Sequence, residues 1–233
     1  SARRGAARYG SLAHNLHRAP RVLLARVILR ALELRAEQLA NRLLPHLASL
    51  PSGAQLLDIG CGTGHNGAAL SLQQRMTVEG VDVVDLHLVG PSPRLFDGQR
   101  LPFGDRAFDA GLMLFVLQYS EAPGRLLAEA RRVISGPLVV IQTTASGART
   151  QGIHALRSFF QGRFAYELSS FAGLVSAHQG HALMPKNAFG RDELFALFDA
   201  VGYRVASFAS EPGMLSSSLG VSRDLFVLEA QGR

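Results

Sequence analysis

The stretch Leu57–Gly67, LDIGCGTGHNG, joins an apolar run to an acid and a set of closely spaced glycines, the composition of a nucleotide-binding turn. Glycine adopts positive φ without strain and lets a ligand approach the backbone where a Cβ would collide. A helix starting just beyond such a turn presents free N–H groups that favour negative charge. The spacing departs from the dinucleotide fingerprint G-x-G-x-x-G: after Gly60 and Gly62 the next glycines stand at Gly64 and Gly67. A phosphate-binding P-loop is excluded, because no Lys-Ser/Thr pair follows and the only lysine is Lys186. A second acid, Asp82, ends the next apolar run, VEGVD, where open α/β sheets place a carboxylate on ribose hydroxyls. At this level a dinucleotide remains a possible ligand.

The elements that must position these residues follow from periodicity. AQLLDIG reads as a buried strand, GAALSLQQ as a helix, and MTVEGVDVV, RLFDG and FDAGLMLFVL as three further strands. EAPGRLLAEARRVI is an amphipathic helix with Leu126, Leu127, Ala130, Val133 and Ile134 on one side. PLVVIQT is a fifth strand, RDELFALFDAVG a helix stopped at Gly202, and YRVASFA and RDLFVLEA the last two strands. This alternation predicts an α/β, Rossmann-like, seven-stranded, mostly parallel sheet with helices on both faces. Two parts lie outside the rhythm: an N-terminal helical arm or cap over residues 1–53, and a helical lid insertion at 144–190 within a ligand-binding domain of 54–233. The insertion carries Phe159, Phe160, Phe164, Tyr166, Phe171 and Phe189, which either form its own small core or line a pocket for an apolar or aromatic substrate.

After Asp82 the chain continues through FDGQRLPFGDRAFDAGLMLFVLQYSEAPGRLLAEARRV. The sequence LDIGCGTG, then GVD, then D-x-x-x-LPF-x-D-x-x-FD resembles the class I S-adenosylmethionine-dependent methyltransferases, in particular the small-molecule and quinone-type group. The resemblance covers residues 54–143 strongly and 190–230 weakly. It implies S-adenosyl-L-methionine as cofactor. Asp58 with the turn Gly60, Cys61, Gly62 and Gly64 would hold the methionine end. Asp82 would take the ribose hydroxyls, Val83 would pack on the adenine, Asp97 would accept from its amino group and Gly98 would donate to a ring nitrogen. Phe115 would contact the methionine through its backbone. Asp105 and Asp109 are read as structural. Two departures stand out: VISGPLVV replaces the usual Pro-Gly-Gly turn, and LQYS stands where a histidine often follows the fourth strand.

Proton removal, where an acceptor requires it, needs a group with pKa near neutrality. Tyr119, in LQYS, and His178 and His181, in the HQGH of the insertion, are the candidate catalytic residues; His154 precedes them, and surface or packing roles compete for each histidine. No metal site is expected, since neither His178/His181 nor His14/His17 has a cysteine or acid cluster beside it. Tyr9 is a weaker candidate for covering the cofactor. A cytosine-5 methylation mechanism needs a nucleophilic cysteine, and the only cysteine, Cys61, lies inside the cofactor turn. Amino-directed nucleic-acid enzymes carry an Asn/Asp-Pro-Pro-aromatic turn where this chain has LQYS.

The net charge of +6 is concentrated at one end, with nine arginines against two glutamates in residues 1–50. Solvation of a helix face explains such a run; contact with a membrane surface or an acidic partner is the alternative. Val22–Leu34 contains Arg26 and Arg30 and is too short and charged to span a bilayer. Arg26, Arg30, Glu33 and Glu37 mark its wet stripe, and Leu24, Ile28, Leu32, Leu39 and Leu43 its apolar side. The expectation is a cytoplasmic methyltransferase acting by O- or C-methylation on a small, apolar or aromatic molecule, with nucleic acid disfavoured as a partner. The rivals are a cofactor-binding protein without methyl transfer, and a methyltransferase working on a macromolecule or at a membrane through the arm.

Overall fold

Short apolar runs dictate the centre of the molecule. The computed structural model describes residues 19–74, 76–145, 167–174, 184–212 and 221–232. Strand β1 (Gln55–Ile59) is followed by helix α2 (His65–Gln74), β2 (Thr77–Asp82), β3 (Arg94–Leu95) and β4 (Ala110–Leu114); helix α1 (Ala19–Leu47) precedes them. A 3-10 turn (Leu117–Tyr119), α3 (Pro123–Val133), β5 (Leu138–Ala145), β6 (Phe189–Gly190), α4 (Arg191–Ala200), β7 (Tyr203–Pro212) and β8 (Val221–Ala230) follow, with residues 167–171 also helical. The strand order is β3-β2-β1-β4-β5-β8-β7, seven strands as expected, and the two-residue β6 adds beside β5. β1 to β5 pair in parallel, and β8 is antiparallel to both β5 and β7.

The two faces have different covers, set by the alternation of side chains along each strand. On one face Leu56, Ala110, Leu112, Val139, Ile141, Leu225 and Val227 meet Leu39, Ala40, Leu43 and Leu47 of α1 and Leu70 of α2. On the other, Leu57, Ile59, Met113, Val140, Phe226 and Leu228 meet α3 and α4 through Leu126, Leu127, Ala130, Val133, Leu194 and Phe198. The C-terminal half of α1 therefore belongs to the core: Leu43 and Leu47 have no exposed surface. Its first half is wetter, with Leu23 and Val27 mostly exposed.

Helix α4 stops where the sequence indicates, at Gly202 with φ of 79°. No helix connects β2 to β3; residues 83–93 form a loop that folds over the glycine turn, where the Leu88 and Val89 amides donate to the Thr63 carbonyl. Among the described residues no helix is long and apolar enough to cross a membrane.

Candidate functional site

The carboxyl ends of β1, β2 and β4 lie side by side, the position where parallel sheets bind ligands in a crevice. The glycine turn is tied to the end of β2: the Gly60 amide donates to the Val81 carbonyl at 2.7 Å, and the Gly62 amide to Asp82 Oδ2 at 2.8 Å. Gly62 has φ of 53°, and a Cβ built on it meets nothing within 4 Å, so its free side faces open space. Gly64 is different. With φ of 81°, its Cβ would lie 2.4 Å from the Val89 carbonyl oxygen, so it is the protein's own loop, rather than a ligand, that needs glycine there.

Asp58 and Asp82 are both buried, and their environments differ. Asp82 accepts from the Gly62 amide with one oxygen and from its neighbour Val83 with the other at 2.7 Å. Asp58 Oδ2 is buried without any hydrogen-bond partner. Burial, reinforced by the charge of Asp82, pushes the Asp58 carboxyl up to about 7. Asp82, not Asp58, supplies the side-chain hydrogen bond that holds the turn, although either acid is short enough to do so.

Cys61 contributes only backbone to the crevice. Its Sγ would stand 2.8 Å from a Cβ on Gly80, so the side chain is wedged against β2. Burial and the nearby Asp58 and Asp82 carboxylates raise its pKa, which keeps the thiol protonated and unreactive.

Two loops meet at the outer end of the crevice. Val83 is 50% exposed, and a Cβ on Gly98 would touch its Cγ1 at 3.3 Å, so Val83 and Gly98 form one small apolar ledge. Asp97 is exposed, and its Oδ1 accepts from the Gln99 and Arg100 amides at 2.8 and 2.9 Å. Those bonds hold its carboxyl below the usual range. Asp97 is thus the anchor of its own turn, with Oδ2 remaining for another donor. Asp105 pairs with Arg132 and Asp109 Oδ2 accepts the Gln55 amide, the structural roles expected of them.

At the inner end, Phe115 takes φ of 62°, a conformation that bulky residues avoid, while its amide donates to the Ile141 carbonyl at 2.7 Å. The following turn carries Gln118 and the half-buried Tyr119, whose pKa burial raises against the opposing influence of Gln118 and Arg35. That turn is clamped from the insertion's far end: the Lys186 and Asn187 amides donate to the Gln118 carbonyl, and Asn187 Nδ2 donates to the Leu117 and Ser120 carbonyls. Gln142 of β5, 1% exposed, donates to Gln118 Oε1 at 3.2 Å and leaves its own Oε1 without a partner. His65, opening α2, bonds Thr63 through Nδ1 and leaves Nε2 buried without a partner. Gln142, Asn187 and His65 were not singled out from the sequence; only the polar interruption of the apolar strand PLVVIQT signals Gln142.

Asp58, the glycine turn, Asp82, Val83, Asp97, Gly98, Phe115 and Tyr119 thus all lie at or just beyond the carboxyl ends of β1 to β4. His178, His181, His154 and Tyr9, and the aromatics Phe159, Phe160, Phe164 and Tyr166, lie outside the described residues. Phe171 is exposed beneath Arg21 of α1, whereas Phe189 is buried in the core. Among the described residues no group of three or more histidine, cysteine or acidic side chains is placed to hold a metal ion.

Known proteins share this arrangement. A family model described as a methyltransferase domain matches residues 57–136, the stretch that builds the crevice. An S-adenosyl-L-methionine-dependent Diels-Alderase of Neonectria sp. (strain DH2) is 28% identical over 180 residues, covering 76% of this chain and 69% of that protein. A malonyl-acyl-carrier-protein O-methyltransferase of Geobacter sulfurreducens is 28% identical over 165 residues, covering 65% of this chain and 56% of that protein. The fold matches that of a geranyl diphosphate methyltransferase solved with S-adenosylmethionine, with a TM-score of 0.59 at 14% identity, over 83% of this chain and 85% of that one.

Proposed function

We propose that this chain is a class I S-adenosylmethionine-dependent methyltransferase that transfers a methyl group to a small acceptor with an apolar or aromatic body. Its cofactor is S-adenosyl-L-methionine, which when bound supplies an electrophilic methyl group on a sulfonium. The observation that carries the residue assignments is the buried, partnerless Oδ2 of Asp58 beside the glycine turn. A buried carboxylate oxygen without a donor is costly, and an ammonium group is the natural complement.

The assigned roles follow from that anchor. Asp58 and the backbone of Gly60, Cys61, Gly62 and Gly64 hold the amino-acid end of the cofactor. Asp82 spends one lone pair of each oxygen on the Gly62 and Val83 amides, and its remaining lone pairs accept the ribose hydroxyls. The ledge of Val83 and Gly98 takes the adenine face, and Asp97 Oδ2 takes its amino group. Phe115 shapes the methionine end. Tyr119, kept protonated by burial, donates a hydrogen bond to the acceptor rather than removing a proton. His178 or His181 serves as base where the acceptor must lose one. Holding donor and acceptor in line and excluding water supplies much of the acceleration.

A second reading rests on the Neonectria relative, whose name describes ring formation and not methyl transfer. Under it the same crevice binds the cofactor while a substrate rearranges beside it. The deciding experiment is a screen of small acceptors with methyl-labelled cofactor. Label on a product supports methyl transfer, whereas a cyclised product without label supports the second reading. Action at a membrane or on a macromolecule through residues 1–20 is a further alternative; salt-dependent binding of the intact chain, but not of one lacking that segment, to anionic vesicles or RNA is its signature.

A further inference from the structure

Helix α1 lies across one face of the sheet and brings a charge over the carboxyl end of β4. Arg42 fixes its position: Nη1 pairs with Glu211 of β7 at 2.9 Å, and Nη2 donates to the Arg223 carbonyl of β8. Two helical turns earlier, on the same side of the helix, the Arg35 guanidinium stands 5.0 Å above the Phe115 ring. Strand alternation sends Asp224 to the α4 side, where Arg191 takes it, and Arg223 to the α1 side. Arg35 is an exposed residue of α1 whose guanidinium nonetheless loses water against its neighbours: desolvation lowers its pKa, Tyr119 opposes that shift, and the Arg223 charge adds to it.

Neither guanidinium has a carboxylate of its own. Among the described residues no ion pair includes Arg35 or Arg223, and Glu211, the carboxylate opposite Arg223 in the ladder, is taken by Arg42. The segments outside the described residues, 1–18, 75, 146–166, 175–183, 213–220 and 233, contain no aspartate or glutamate. Two like charges, with the one neighbouring acid, Glu211, already paired to Arg42, make a site for an anion.

We propose that Arg35, with Arg223 beside it, holds a carboxylate carried by the methyl acceptor, so that the acceptor is an organic acid with an apolar body. The proposal rests on the reading of the crevice as the methyl-transfer site and adds the charge of what enters it. The cofactor's own carboxylate is the rival occupant. Arg35 lies over Phe115, past the end of β4, and Arg42 of the same helix is tied to β7 and β8, across the sheet from the β1 end that carries the glycine turn, which favours the acceptor. The free N–H groups at the start of α2 suit the cofactor's carboxylate instead.

The test uses the full chain saturated with S-adenosylhomocysteine, titrated calorimetrically with acetate, benzoate and octanoate and with their primary amides. At least one acid should bind tenfold or more tightly than its amide at low salt. Arg35→Met should abolish that preference, Arg223→Gln should reduce it, and Arg35→Lys should restore part of it. A separate arm compares S-adenosylhomocysteine with 5′-methylthioadenosine, which lacks the amino-acid tail. Arg35→Met should leave both affinities unchanged; selective loss for S-adenosylhomocysteine assigns Arg35 to the cofactor and overturns the proposal. So does the lack of any acid-over-amide preference in the native chain that binds S-adenosylhomocysteine. A native chain that fails to bind S-adenosylhomocysteine at all overturns the underlying reading of the crevice.

Discussion

Asp82 accepts the Gly62 amide at 2.8 Å, which makes the acid assigned to the ribose also the strut of the turn assigned to the methionine. The two halves of the cofactor site are therefore mechanically joined. Asp82→Ala should weaken S-adenosylhomocysteine binding by about 1–3 kcal/mol, because it leaves buried polar groups without partners. The same variant should lower the melting temperature of the ligand-free protein, since the Gly62 amide loses its acceptor. Unchanged affinity in a folded variant would remove Asp82 from the ribose.

Asp58 gives the protein a dependence on pH. A carboxyl raised to about 7 keeps its proton in the folded state over a range where the unfolded chain has lost it. Between about pH 4 and 7 the folded state thus binds more protons, and stability should fall as pH rises. Below that window both states are protonated and the cost vanishes. Asp58→Asn should flatten most of the slope in denaturant titrations. Asp82, raised by burial as well, should leave a residue of the same sign. Cofactor binding should have the opposite trend, tightening from pH 5 to 7 as an ammonium partner favours ionised Asp58, with proton release visible in buffers of different ionisation heat.

On the far side of the sheet, Asp224 is fully buried and accepts from Arg191 Nε at 2.8 Å, Thr144 at 2.6 Å and Ser210 at 2.6 Å. Burial alone would raise its carboxyl; Arg191 and the hydroxyls hold it below the usual range. Asp224→Ala should cost about 3 kcal/mol, the lower end for a broken buried pair, because Arg191 remains partly solvated. The native pair's contribution is present above the unfolded aspartate pKa and is lost as pH falls through the depressed one. Chemical denaturation of both proteins at pH 7 and pH 3 should show the difference shrinking in acid.

The candidate catalytic side chains separate by size of effect. Tyr119→Phe should lower turnover about tenfold, the value of one hydrogen bond, with cofactor affinity unchanged. His178→Gln or His181→Gln should cost about 10²–10⁴-fold if that histidine is the base, and the acid limb of the pH–rate profile should disappear with it. If neither histidine variant moves the profile, neither histidine is the base.

The parts legible in the sequence are local ones. Apolar runs a few residues long announced the central strands, and the glycines announced the turn after β1, because each lies within a few residues of what it shapes; Asp82, twenty residues from the Gly62 amide it accepts, was legible only from its place at the end of the next strand. Gly202 stopped α4 where its φ required. The illegible parts are pairings made across the chain. Nothing near Arg35 indicates that it will stand over Phe115, because that depends on the angle at which α1 crosses the sheet. Asn187 clamps a turn some 70 residues earlier, and Arg223 acquires its neighbours only through the register of β7 and β8. Gly64 shows the same limit in reverse: its type was readable, but the loop carbonyl that requires it belongs to Val89.

The wedging of Cys61 against Gly80 has a practical result. The chain has a single thiol, and that thiol is sheltered and held protonated. Alkylating probes and spin labels should pass over the native protein. A cysteine introduced at Leu72, which is 86% exposed on α2, together with one placed in 146–166 would then be the only reactive pair. The distance between the two labels, measured with and without cofactor and acceptor, would report on the insertion in a protein that needs no prior removal of background cysteines.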